Sequence, residues 1–229
     1  MHEAHEVPVI CLDGPSGSGK GTVGRMLARR LGWHFLDSGA LYRLVAVAAR
    51  QAGIDLGAAD ELAGLAYALD VAFSGDEQGR ERIELAGRDV TAAVRAETTG
   101  ADASRVAAYP AVREALLARQ QASRRAPGLV ADGRDMGTVV FPDAPLKIFL
   151  IASAEERARR RHKQLMENGI DVSIARLIKE IEARDRQDRE RRIAPLKPAP
   201  DALTIDSTGR WPEQVCEEII ALARDRKLC

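Results

Sequence analysis

The segment Val7-Pro8-Val9-Ile10-Cys11-Leu12-Asp13-Gly14-Pro15-Ser16-Gly17-Ser18-Gly19-Lys20-Gly21-Thr22 carries a short β-branched apolar run into a glycine-rich turn that ends in a lysine and a threonine. The run from Val7 to Leu12 is too short for a buried helix and is closed by Asp13-Gly14-Pro15, so it predicts a buried parallel strand that tolerates Pro8 near its start. From Gly19 onward Val23, Met26, Leu27 and Leu31 recur at helical spacing, and Gly32 closes the helix. A glycine turn between a strand and a helix N-terminus is a phosphate-binding loop: its backbone N–H groups converge on phosphate oxygens and the helix dipole favours the anion. Gly14, Pro15, Ser16, Gly17, Ser18, Gly19, Lys20, Gly21 and Thr22 are the candidate triphosphate ligands, with Lys20 supplying a point charge to the β- and γ-phosphates. The general pattern places Ser or Thr directly after the lysine. Here Gly21 stands there and Thr22 follows, which leaves open whether a hydroxyl reaches Mg²⁺ directly.

Beyond the loop the pattern repeats. Trp33 to Leu36 reads as a second strand and Ala40 to Gln51 as a helix, and two successive βα units predict a parallel sheet. Val71 to Phe73, Arg82 to Leu85 and Asp89-Val90, separated by Gly75, Gly79 and Gly87, have the spacing of an antiparallel meander, so an insertion is expected over about residues 62–103. Val112 to Gln121 is helical; Leu129 to Ala131, Ile148 to Ile151 and Leu203 to Ile205 are short buried strands that resume the core, which is expected over residues 7–61 and 104–229. Two charged helices, Glu155 to Glu167 and Ser173 to Arg192, flank an Asn168-Gly169 turn signal, and Pro212 opens a last amphipathic helix. The expected fold is α/β: a five-stranded parallel sheet flanked by helices and resembling P-loop NTP hydrolases, with an inserted antiparallel β subdomain and an arginine-rich lid over about residues 153–172.

Composition narrows the setting. Lys plus Arg and Asp plus Glu are 34 each, so there is no bulk charge to draw the chain to nucleic acid or an anionic membrane. Cys11, Cys216 and Cys229 lack metal or redox spacing and do not form a secreted disulfide framework. Met1 to Glu6 lacks the basic and apolar regions of a signal peptide, and no apolar run approaches the roughly 20 residues that cross a bilayer. A cytoplasmic protein is expected. His2, His5, His34 and His162 have no metal-ligand spacing and receive no catalytic role.

Polar groups at strand ends mark the site. Asp37-Ser38-Gly39-Ala40-Leu41-Tyr42-Arg43 follows the second strand and Asp132-Gly133-Arg134-Asp135-Met136-Gly137 follows a later one, which sets both runs at the carboxyl edge of the sheet where such folds bind ligands. Taken singly, Arg43 reads equally well as a solvated helix residue and Ser38 as a helix N-cap. Together with the phosphate loop, Leu36-Asp-Ser-Gly-Ala-Leu-Tyr-Arg43, Tyr109-Pro-Ala-Val-Arg-Glu-Ala-Leu-Leu117, Ala131-Asp-Gly-Arg-Asp-Met-Gly-Thr-Val-Val-Phe-Pro-Asp-Ala144 and Arg184-Asp-Arg-Gln-Asp-Arg-Glu-Arg191 resemble the bacterial cytidylate kinases from about Val7 to the C-terminal helix. A shikimate or adenylate kinase would share only the first motif and the general fold.

The resemblance implies transfer of the ATP γ-phosphoryl group to CMP or dCMP, with Mg²⁺ arriving on ATP, by a monomer. It implies that Ser38, Arg113, Asp135 and Arg191 recognise cytosine, that Ser104, Arg184 and Asp188 contact the ribose, and that Arg43 and Arg134 bind the acceptor phosphate. Cytosine chemistry agrees with the first set, since its amino group donates to a carboxylate such as Asp135 while N3 and O2 accept from arginine; uracil would turn a carbonyl toward that carboxylate. Among the lid arginines, Arg157 and Arg161 are four apart and are expected to share a face toward the donor, with Lys20, Arg43, Arg134 and Arg184 completing the cations that neutralise the transferring group. Arg159, Arg189 and Arg192 read as a solvated face with partners such as Glu155. Two alternatives stay open: a kinase for UMP or another small acceptor, and a regulatory or RNA-binding module using the arginine-rich helices. The second is disfavoured because that segment lacks aromatic residues for base stacking.

Overall fold

The computed structural model describes residues 7–75, 81–167 and 169–229. Residues 1–6, with His2 and His5, the meander punctuation at Gly79 and the turn residue Asn168 lie outside the described residues. The chain divides into two compact units, one of residues 1–37 and 121–229 and the other of residues 38–120.

The first unit is built on a five-stranded sheet of β1 (Val9–Asp13), β2 (His34–Asp37), β6 (Leu129–Gly133), β7 (Leu146–Ile151) and β8 (Leu203–Asp206) in the order β2-β6-β1-β7-β8. Every neighbouring pair is parallel, as the two βα units predict. Every residue of β1 and of β6 is buried, which is why both read as continuous apolar runs rather than alternating ones. Helix α1 (Lys20–Leu31) and helix α9 (Pro212–Asp225) share one core with the sheet: Val23 and Leu27 meet Ile10, Leu12, Ile148 and Leu150, and Val215, Ile219 and Ile220 join them. Each such aliphatic side chain contributes about 1.5–3 kcal/mol on burial. Helices α7 (Ala154–Glu167) and α8 (Ile174–Glu190) pair through a smaller cluster of Ala158, Leu165 and Leu177. Ser173 caps α8 by accepting the Arg176 N–H at 3.2 Å.

After β6 the chain makes one π-helical turn, Met136–Val140, that sequence periodicity does not announce. Its cause is long-range. The Asp13 carboxylate accepts the N–H groups of Met136 and Gly137 at 2.9 and 2.8 Å, and the Asp135 carbonyl accepts those of Val139 and Val140.

The second unit contains α2 (Ser38–Ala52), α3 (Ala59–Tyr67), the antiparallel sheet β3 (Val71–Gly75), β4 (Glu81–Leu85) and β5 (Arg88–Asp89), then α4 (Thr91–Arg95), α5 (Glu97–Val106) and α6 (Pro110–Gln121), whose last residue belongs to the first unit. The expected meander is present, while α3, α4 and α5 are additions to the sequence reading. Among the described residues no helix is long and apolar enough to cross a membrane.

Candidate active site

The phosphate loop begins where β1 stops. Gly14 adopts φ 144°, and a Cβ there would stand 2.1 Å from the Leu150 carbonyl oxygen, so β7 runs too close for any side chain. Gly14→Ala is expected to destabilise the protein by about 3 kcal/mol, read as a fall in urea midpoint, through strain and a backbone clash. Gly19 takes a left-handed conformation at the N-terminus of α1 and offers no side-chain cap, and the first helical turn carries no acidic residue. The end of α1 is thereby left to an anion. Lys20 curls back over the loop, its Nζ donating to the Pro15 carbonyl at 2.7 Å and to Ser18 Oγ at 3.4 Å.

Lys20 is buried among Asp13, Asp132 and Arg134. Burial first, and the Arg134 charge second, lower its pKa to about 7, while Asp132, Asp13 and Asp188 act in the opposite sense. Burial likewise raises Asp13 to about 7 against the two backbone hydrogen bonds it accepts, and raises Asp132 to about 6 against the attraction of Lys20. Polyphosphate beside Lys20 favours its charged form. At pH 8 nucleotide binding is therefore expected to take up roughly one proton, seen as a dependence of calorimetric enthalpy on buffer ionisation, and Lys20→Met is expected to abolish it. Binding without proton uptake would contradict the burial argument.

The β6 end and α8 bring a second group together. Arg134 Nε donates to Asp188 Oδ2 at 3.1 Å and its Nη1 to the Gly133 carbonyl at 3.1 Å. Arg191 Nη2 lies 4.0 Å from Asp188 Oδ1 and donates to the Ala194 carbonyl at 3.3 Å. Burial of Asp188 favours its neutral form, but Arg134, Arg191 and Arg184 together outweigh it and hold the carboxyl below its usual range. Arg184 Nη1 reaches back to Ser16 Oγ in the phosphate loop at 3.3 Å. Asp135 is buried directly after Arg134.

Within the second unit, Ser38 is the buried first residue of α2. Arg43 Nη1 donates to the carbonyls of Val94 and Ala96 at 2.9 and 3.0 Å. Arg113 lies with its guanidinium 5.6 Å from the Tyr42 ring centroid and donates to the Ala107 carbonyl at 3.3 Å. Ser104 is buried and donates to the Gly100 carbonyl at 3.2 Å.

The arginines of α7 differ from one another. Arg157 forms a bidentate pair with Asp185 and donates to the carbonyls of Ser16, in the phosphate loop, and Ala152. Arg161 donates to Gln164 Oε1 at 3.3 Å. Arg159 is solvated as expected, although its partner is Glu156 rather than Glu155. Sequence reasoning assigned no role to Asp13, Asp185 or Ser207. Ser207 directly follows β8, a strand-end position that could have marked it; its Oγ donates to the Ser18 carbonyl at 2.8 Å, and Arg160 donates to both its hydroxyl and its carbonyl.

A phosphate loop after the central β1 of a sheet ordered β2-β6-β1-β7-β8, with arginines converging on it from α7 and α8, defines an α/β phosphate-loop protein of the phosphoryl-transfer class. A solved structure of an uncharacterized protein from Eubacterium ventriosum ATCC 27560 shares the fold, with TM-score 0.50 at 11% identity over 94% of this chain and 97% of that one. The family model for cytidylate kinase matches residues 10–225, and the chain belongs to that family. It is 61% identical over 223 residues to the cytidylate kinase of Stutzerimonas stutzeri strain A1501, covering 97% of each chain. It is also 61% identical over 215 residues to that of Pseudomonas entomophila strain L48, covering 93% of this chain and 94% of the relative.

Proposed function

We propose that this enzyme transfers the γ-phosphoryl group of ATP to CMP or dCMP, giving ADP and CDP or dCDP. The observation that carries the reading is the direct contact of Arg184 with Ser16, which joins the helix bearing Asp188 and Arg191 to the phosphate loop. An oxygen of the acceptor phosphate attacks the γ-phosphorus as the bond to the β–γ bridging oxygen breaks, and ADP leaves with that oxygen. The attacking oxygen is already ionised near neutral pH, so no general base is needed and catalysis falls to positioning and charge. Lys20 and the loop N–H groups hold the triphosphate; Arg43 and Arg134 hold the acceptor phosphate; Ser104, Arg184 and Asp188 hold the ribose; Ser38, Arg113, Asp135 and Arg191 read the base. Arg161 approaches the donor when the lid, about residues 153–172, closes and excludes water. The insertion, about residues 62–103, belongs to the acceptor side.

The residues fit a phosphate-borne Mg²⁺. Gly21 carries no hydroxyl, and a Cβ at that position would stand 3.4 Å from Asp132 Oδ2, a carboxylate suited to a water of the ion rather than to a dedicated cage. Among the described residues no cluster of three His, Cys, Asp or Glu can hold a metal. When bound with ATP, Mg²⁺ neutralises charge on the phosphates. The enzyme acts in pyrimidine nucleotide metabolism in the cytoplasm, as a monomer, without nucleic acid or membrane partners. Initial rates of ADP release with CMP, dCMP, UMP, AMP and shikimate test the assignment. CMP and dCMP are expected to lead, and a preference for any other acceptor would end it.

A further inference from the structure

Ser16 is held from both α7 and α8. Arg157 Nη1 donates to its carbonyl at 3.1 Å and Arg184 Nη1 to its hydroxyl at 3.3 Å. Arg157 is in turn fixed by Asp185, which accepts from Nη1 at 3.0 Å and from Nη2 at 2.6 Å, while Nε donates to the Ala152 carbonyl at 3.0 Å. The two side chains are only 5% and 8% exposed, unlike the Arg176–Glu180 pair within α8, at 72% and 47%. The stem of Arg157 also covers Gly17, where a Cβ would stand 3.3 Å from its own Cβ.

Asp185 adjoins Arg184, and Asp188 follows one turn later, so anchoring Asp185 sets both the rotation and the height of the α8 face that carries Arg184, Asp188 and Arg191. A buried, bidentate and fully hydrogen-bonded pair defines one geometry, which a solvated pair does not.

We propose that Arg157 and Asp185 are positioning residues: they register α8 against Ser16, and hence the acceptor contacts against the loop that carries the donor phosphates, without touching either substrate. The proposal rests on the (d)CMP kinase reading. A displacement of about 1 Å costs on the order of 10²-fold in a transfer that depends on alignment.

The test compares Arg157→Gln, Asp185→Asn and the double variant with the wild type and with Glu180→Gln on the solvated face, by kcat, KM for CMP, thermal melting and hydrogen exchange over residues 14–19. Assayed well below their melting temperatures, both single variants are expected to lose kcat by a similar factor of about 30–100. The double variant should be no worse than about threefold beyond either, with KM for CMP little changed. Glu180→Gln should match the wild type. Exchange over the loop should rise equally in the two single variants. If Arg157→Gln lost far more than Asp185→Asn, Arg157 would be a phosphoryl contact and the pairing would be overturned. Additive losses, or lowered melting temperatures with unchanged kcat, would overturn it as well. Wild-type inactivity toward CMP would instead overturn the activity reading; loop exchange would still judge the pair, and exchange unchanged in both variants would refute it.

Discussion

Lys20→Ala is expected to lower kcat with every acceptor by about 10³-fold or more, because it removes the ammonium that meets charge developing on the β- and γ-phosphates in a water-poor site. The expectation follows from placement. Nζ is oriented by the Pro15 carbonyl and Ser18 Oγ, so the amine is in place before substrate arrives and is charged once the nucleotide binds. Asp13 and Asp132 remain buried nearby when the lysine is gone, so the triphosphate then meets a site that has lost its buried cation. Steady-state rates with CMP and dCMP, set beside ATP affinity from equilibrium binding, measure the effect. A loss confined to one acceptor would place Lys20 on the wrong substrate.

Asp135→Ala is expected to act on the other substrate, lowering kcat/KM for CMP by about 10²–10⁴-fold while KM for ATP stays within about threefold, since a buried polar contact to the base edge is lost. The backbone role of residue 135, whose carbonyl accepts from Val139 and Val140, survives in alanine, which separates recognition from folding of the π-helical turn. Asp135→Asn sharpens the result: an amide can turn its NH₂ toward the O4 of uracil, so the UMP to CMP rate ratio is expected to rise. Equal losses of ATP affinity in the Lys20 and Asp135 variants would refute the division of labour between the loop and the end of β6.

What could be read in advance was local. β1, the glycine loop and α1 announce themselves through a β-branched run, a turn and a 3.6-residue period within one short window, and the polar residues that end β2 and β6 follow from strand polarity. Helices α3, α4 and α5 escaped because Ala59–Tyr67 and the stretch from Thr91 to Val106 are short, alanine-rich and broken by Gly64, Thr98, Thr99 and Gly100, which blur periodicity. The π-helical turn depends on Asp13, more than 120 residues away in sequence, so nothing adjacent encodes it. Arg157 illustrates the same limit: its buried carboxylate partner, Asp185, lies 28 residues later, so no local spacing announces the pair. Family resemblance supplied the roles proposed for Ser38, Ser104 and Arg113, which spacing alone left indistinct from cap and surface positions.

The most direct measurement follows the phosphoryl group itself. Incubated with Mg²⁺, CMP and ATP labelled in the γ-phosphate, the enzyme should deliver label to CDP in step with ADP formation. Label released chiefly as inorganic phosphate, or ADP formed at a rate indifferent to CMP, would contradict it.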